Sequence, residues 1–171
     1  AGQHRGRFGA DGEKPALTSS PVPRFDLLDL DAYDTMAVQF SRGCPFQCEF
    51  CDIIVLYGRR PRTKTPAQLL GELEALLQLG WRGDVFLVDD NFIGNRHNVR
   101  LLLSALADWQ RRHGYPFRFT TEASLDLAAD IPLIEAMVAC RFRRVFLGIE
   151  TPDGDSLKGA RKLQDRKSTR L

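Results

Sequence analysis

The chain has 171 residues, of which 43% are hydrophobic and 27% charged, with a formal net charge of +2. That length supports one domain with a sizeable core, and that composition excludes a low-complexity or intrinsically disordered chain. No apolar run approaches the roughly 20 residues needed to span a bilayer, and no secretory signal is present, so we expect a cytoplasmic protein without a transmembrane segment.

Residues 1–23 begin with Ala1 and mix glycine, proline and serine without periodicity. They read as a linker ahead of a folded part over 24–164. MAVQFS predicts a buried strand over 36–41. Three cysteines follow, Cys44, Cys48 and Cys51, in the run SRGCPFQCEFCDI, where Gly43 serves backbone geometry. Arg59, Arg60, Arg62 and Lys64 then form a basic run. Most such runs are solvated loop surface; the functional alternative is a counter-charge for a reduced cluster or an acidic substrate.

The next segment starts a helix. Thr65 caps it, Pro66 occupies the first turn and Gln68 completes a capping box. Leu69, Leu70, Leu73, Leu76 and Leu77 form one apolar stripe, and Gly80 ends it. DVFLVDD predicts a strand over 84–90. Asn95 opens a second helix with Val99, Leu102, Leu103, Leu106 and Trp109 inward, closed by Gly114. FRFTTE predicts a strand over 117–122, and Asp130 caps a helix carrying Leu133, Ile134, Met137 and Val138. RVFLGIE predicts a fourth strand over 144–150, with another helix starting near Asp153. Residues 165–171, DRKSTRL, carry the entire net charge and are compatible with a sequencing-adapter sequence read in one frame, so we expect a non-biological tail; the alternative is a disordered basic tail. Without them the charge balances, and no argument for a nucleic-acid partner remains.

Strand and helix alternating at this spacing imply right-handed βαβ units and a parallel sheet. Sites in such folds gather at the carboxyl ends of the strands. The cysteine loop follows the first strand and Asp89, Asp90 and Asn91 follow the second. Glu122 ends the third strand and Glu150 the fourth. One shared pocket is therefore expected.

The spacing Cys-x-x-x-Cys-x-x-Cys supplies three thiolates within eight residues. Structural zinc takes four protein ligands, and His4, His97 and His113 show no paired spacing. Ordinary cluster carriers also use four cysteines. Three thiolates fit a 4Fe-4S cluster with one iron left open. An iron–sulfur electron-transfer domain, and a zinc module drawing a fourth ligand from elsewhere such as Cys140, stay open as alternatives. Cys140 itself, beside an apolar helix face, reads as a small buried hydrophobe.

The three-cysteine motif, with aromatic Phe50 before its last cysteine, resembles that of the radical S-adenosylmethionine (SAM) superfamily. The segments PRFDLLDL, CDIIVLYGRRPRTKTP, VDDNFIGN and FLGIETPD are similar to the cobalamin-binding-domain branch, especially hopanoid methylases and their uncharacterised relatives. The resemblance covers roughly Pro21 to Gln164. It implies an α/β fold, a partial (βα) barrel of the radical SAM type ending after about four βα units. It implies a 4Fe-4S cluster on Cys44, Cys48 and Cys51, with SAM at the open iron, cleaved reductively to a 5'-deoxyadenosyl radical. The cluster would be fed by an external electron donor such as flavodoxin or ferredoxin. A cobalamin-binding domain would precede the linker. Methylation of an unactivated carbon in a small-molecule or lipid substrate, such as a hopanoid-like lipid, follows from the same resemblance. So do SAM contacts from Phe50, Asp89, Asp90, Asn91, Glu122 and Glu150. Asp89 to Asn91 stand where the family carries a Gly-Gly-Glu-like motif for the amino group of SAM, but the glycines are missing. Glu150, with Glu122 second, suits the ribose hydroxyls. Catalysis by these 171 residues alone is not expected.

Overall fold

Residues 14–162 are described by the structure, a computed structural model. The expected tail 165–171 and the first part of the expected linker, 1–13, lie outside the described residues. In chain order the elements are β1 (Thr35–Val38), β2 (Ser41–Arg42), α1 (Ile53–Leu56), β3 (Arg62–Thr63), α2 (Pro66–Gln78), β4 (Gly83–Leu87), α3 (Arg96–Arg112), β5 (Phe117–Ser124), α4 (Ile131–Ala139), β6 (Phe142–Gly148) and α5 (Gly154–Gly159).

β1, β4, β5 and β6 form one sheet in that spatial order, and every neighbouring pair is parallel. Strand order therefore follows chain order. A doubly wound sheet would reverse at a switch point, whereas winding in one direction gives part of a (βα) barrel. The expected helix starts are realised. Thr65 and Gln68 form a reciprocal capping box, Asn95 accepts from the Asn98 N–H, Asp130 from Leu133 and Asp153 from Ser156.

The core lies between the sheet and helices α2, α3 and α4. Leu69, Leu73, Leu76, Leu102, Leu106 and Leu133 are fully enclosed there, against Val85, Leu87, Phe117 and Phe119 from the strands. Cys140 is buried with its Sγ 3.2 Å from the Leu103 carbonyl, and burial pushes its thiol up to about 12. Val138 departs from the expected stripe: it is 62% exposed. Among the described residues no helix is long and apolar enough to cross a membrane.

Three further sequence expectations are corrected. The strand read over 36–41 stops at Val38, and Ser41 and Arg42 pair antiparallel with Thr63 and Arg62 in a separate ribbon. That ribbon closes the base of the cysteine-bearing excursion. Lys64 is not solvated loop surface. It is buried in an ion pair with Glu72, whose other oxygen has no hydrogen-bond partner among the described residues. The described end of the linker is packed: Leu17 is buried, and Gln68 Nε2 donates to the Thr18 carbonyl at 3.0 Å. Composition alone does not reveal these contacts, because they involve backbone carbonyls.

Candidate functional site

The cysteine loop leaves β2 through Gly43, whose φ of +100° lies in the left-handed region. A Cβ there would stand 2.8 Å from the Gly58 carbonyl, so the close approach requires glycine. Three backbone N–H groups hold the loop. Gly43 N–H donates to Asp90 Oδ2 at 2.9 Å, Cys44 N–H to the Gly58 carbonyl at 3.3 Å, and Glu49 N–H to the Ala160 carbonyl at 2.9 Å. The last of these ties the loop to the end of α5.

Cys44, Cys48 and Cys51 are free, half-buried, and open onto one cavity of about 360 Å³. Volumes of a few hundred Å³ are typical of small-molecule sites. Burial raises the Cys44 thiol above its ordinary range, opposed by backbone and Asn91 hydrogen bonds. Burial also raises Cys48, opposed by the positive charge of Lys162. A metal that binds thiolate offsets such a cost directly. Among the described residues no three His, Cys, Asp or Glu side chains close on a point that could hold a single metal ion. Three thiols around one cavity suit ligands that each bind a different iron of a cluster better than ligands sharing one zinc. On donor type, number and shared cavity, the residues fit the cluster.

Sheet alternation decides which predicted acids reach this cavity. Successive strand residues point to opposite faces, and Val85, Leu87 and Asp89 share the helix-covered side. Asp89 is accordingly withdrawn from the cavity. Its carboxylate is 1% exposed and accepts from Phe40 N–H at 2.8 Å, Ser41 N–H at 2.9 Å and Ser41 Oγ–H at 2.6 Å. Burial pushes this carboxyl up to about 6 in spite of the three donors. Its role is to hold the start of β2, which corrects the expectation that it faces a ligand.

Asp90, one residue on, lines the cavity and anchors Gly43. Asn91 is buried and also lines it. Its Oδ1 accepts the Ser124 N–H at 3.2 Å, while its Nδ2 lies 3.1 Å from Ser124 Oγ and 3.7 Å from Cys44 Sγ. Glu122 is exposed, borders the cavity, and sits two residues before the end of β5 rather than at it. Glu150 lies just beyond β6 at a φ of +61°, an uncommon conformation for a residue with a side chain. Phe50, 59% exposed, forms part of the rim.

Sequence reasoning does not single out two polar lining residues, Ser124 and Lys162. Ser124 could have been found by extending the β5 alternation, since it shares a face with Glu122. Lys162 carries no periodic signal. It follows α5, is 7% exposed, and places Nζ 2.7 Å from Glu150 Oε1.

Comparison with known proteins identifies relatives over most of the chain. An uncharacterised methyltransferase of Synechocystis sp. is 66% identical over 157 residues, covering 92% of this chain and 29% of that protein. The hopanoid C-2 methylase of Rhodopseudomonas palustris is 45% identical over 146 residues, covering 85% and 28%. The chain thus spans less than a third of the length of these relatives. Among solved structures, the cobalamin-dependent SAM radical enzyme OxsB superposes with a TM-score of 0.76 at 19% identity, covering 92% of this chain and 24% of that one. The radical SAM methyltransferase TsrM of Kitasatospora setae superposes with a TM-score of 0.68 at 18% identity, covering 77% and 25%. These two likenesses concern the fold. The radical SAM superfamily profile matches residues 38–170, which include the end of β1, the cysteine loop and the other three parallel strands, and the chain belongs to that superfamily.

Proposed function

We propose that this chain forms the cluster- and SAM-binding part of a radical SAM methyltransferase, with Cys44, Cys48 and Cys51 as the three protein ligands of a 4Fe-4S cluster. The observation that carries the reading is the opening of all three thiols onto one cavity bordered by Asp90, Glu122 and Glu150. A simple electron-transfer domain needs no ligand-sized cavity at its cluster. When bound, the cluster and SAM supply one-electron cleavage of a carbon–sulfur bond, and a cobalamin supplies the methyl group.

The chain's own residues bind and orient. Asp90 offers a carboxylate acceptor to the ammonium of SAM while its bond to Gly43 N–H keeps it in register with the cysteine loop. Asn91 donates toward Cys44 Sγ and steadies that ligand. Glu150 offers an acceptor to ribose hydroxyls, and Phe50 supplies an apolar surface at the rim. Glu122 is the second candidate for the hydroxyls. Asp89 acts one step back, through the backbone that starts the loop.

The substrate proposed from the hopanoid C-2 methylase relative is a polycyclic lipid, methylated at an unactivated carbon with methylcobalamin as donor. An external one-electron carrier such as flavodoxin or ferredoxin reduces the cluster. The reading is tested on the anaerobically reconstituted chain by iron and sulfide analysis. Wild type is expected to hold about four irons per chain. Zinc in their place, or no metal at all, would refute the assignment.

A further inference from the structure

Lys162 occupies a built position that the chemistry above does not use. Its side chain is 7% exposed, yet it lines the same cavity as the three cysteines. The α5 helix puts it there. Leu157 anchors that helix by burial, Arg161 turns the chain at a φ of +51°, and Lys162 N–H returns to the Leu157 carbonyl at 2.9 Å. Nζ then sits 2.7 Å from Glu150 Oε1 and 5.7 Å from the centre of the Phe50 ring. Gly148 leaves the room: a Cβ on it would stand 2.8 Å from Nζ and 3.1 Å from Glu150 Oε1. A buried lysine is costly unless paired, and this one has both an ion pair and an aromatic face.

The other charged side chains on the cavity, among the described residues, are Asp90, Glu122 and Glu150, all acidic. The sequence offered Arg59, Arg60, Arg62 and Lys64 as counter-charges. Lys64 is instead sealed against Glu72, Arg62 donates to the Pro15 and Tyr57 carbonyls, and Arg59 and Arg60 are exposed, where solvent screens them.

We infer that Lys162 sets the reduction potential of the cluster: its buried ammonium, beside Phe50 in the cysteine loop, is the local counter-charge, and Glu150 moderates it. The inference rests on the cluster assignment proposed above. One electron from the external carrier enters the cluster and makes it more negative by one charge, with no bond made or broken in the protein. A fixed cation nearby favours that reduced state, and a fixed anion disfavours it.

The test is a redox titration of the reconstituted chain, followed by electron paramagnetic resonance, for wild type, Lys162→Gln, Lys162→Arg and Glu150→Gln. Lys162→Gln is expected to lower the reduced-to-oxidised ratio at a fixed potential about tenfold, a shift of about 59 mV for a one-electron couple. Glu150→Gln is expected to shift it the opposite way, and Lys162→Arg to stay near wild type. A residue that merely braces the fold would not give shifts of opposite sign. Equal potentials in wild type and Lys162→Gln at equal iron content would overturn the inference and leave the cluster assignment standing. If Lys162→Gln holds no cluster, Glu150→Gln decides: a raised potential supports the inference and an unchanged one overturns it. A wild-type chain without a cluster defeats the assignment and the inference together.

Discussion

The two faces of the four-stranded sheet carry the same alternating strands but opposite contents. On the helix-covered face lie Val85, Leu87, Phe117, Phe119 and Thr121, all enclosed. On the other face the side chains on β5 and β6 that alternate with these include Arg118, Glu122, Arg144 and Phe146, all exposed. At the carboxyl end the contrast narrows to neighbouring aspartates. Asp89 continues the closed face and spends its carboxylate on the backbone of Phe40 and Ser41, while Asp90 continues the open face and borders the cavity. Equal chemistry one residue apart serves the fold in one case and is available to a ligand in the other. The side of the sheet decides which.

The sharpest way to break this comparison uses the cysteines. Cys44→Ala, Cys48→Ala or Cys51→Ala is each expected to abolish cluster assembly, since three ligands leave no spare. Cys140→Ala, behind the sheet, should leave iron content unchanged. Iron analysis after reconstitution reads both, and iron retained without all three loop cysteines together would break the assignment.

Asp89→Asn should cost roughly 3 kcal/mol of stability, because an amide cannot accept from every donor that the carboxylate satisfies. It should also remove a pH dependence. The Asp89 carboxyl, at about 6 in the folded chain, holds its proton more tightly than it does unfolded. Its contribution to stability is therefore full below the unfolded value of about 3.9 and is lost as pH rises through about 6. Urea denaturation between about pH 4 and pH 7 should show that loss in wild type and not in Asp89→Asn. A parallel pH response in the two proteins would contradict the burial argument.

Open-face acids should behave differently. Glu150→Gln and Asp90→Asn are each expected to weaken SAM binding by roughly 1–2 kcal/mol while iron content holds, because each loses charge-assisted hydrogen bonding. Titration with SAM measures it, and undiminished affinity in both variants would remove these residues from the site. The smallest effect is expected at Val138. Exposed despite its helical spacing, it should tolerate Val138→Ala within about 0.5 kcal/mol by chemical denaturation.

Much of this was legible before the structure. The cysteine spacing, the caps at Thr65, Asn95, Asp130 and Asp153, and the parallel order all follow from local chemistry and period. The assignment of Asp89 to a ligand failed for a physical reason. Position after a strand points to the site, whereas the alternation through Val85 and Leu87, carried two residues further, turns Asp89 to the helix-covered side. The pairing of Ser41 with Thr63 and the burial of Lys64 depend on partners about twenty and eight residues away, which no local pattern encodes. The place of Lys162 depends on the end of α5 meeting both Gly148 and Glu150. That meeting is tertiary.

The central claim is a three-cysteine cluster with one iron free for SAM. Electron paramagnetic resonance of the anaerobically reconstituted, reduced chain tests it most directly, recorded with and without SAM. The account predicts a reduced 4Fe-4S signal that changes shape when SAM is added. A cluster signal unaltered by SAM would assign the site to electron transfer, and a colourless, silent protein holding zinc would contradict the cluster itself.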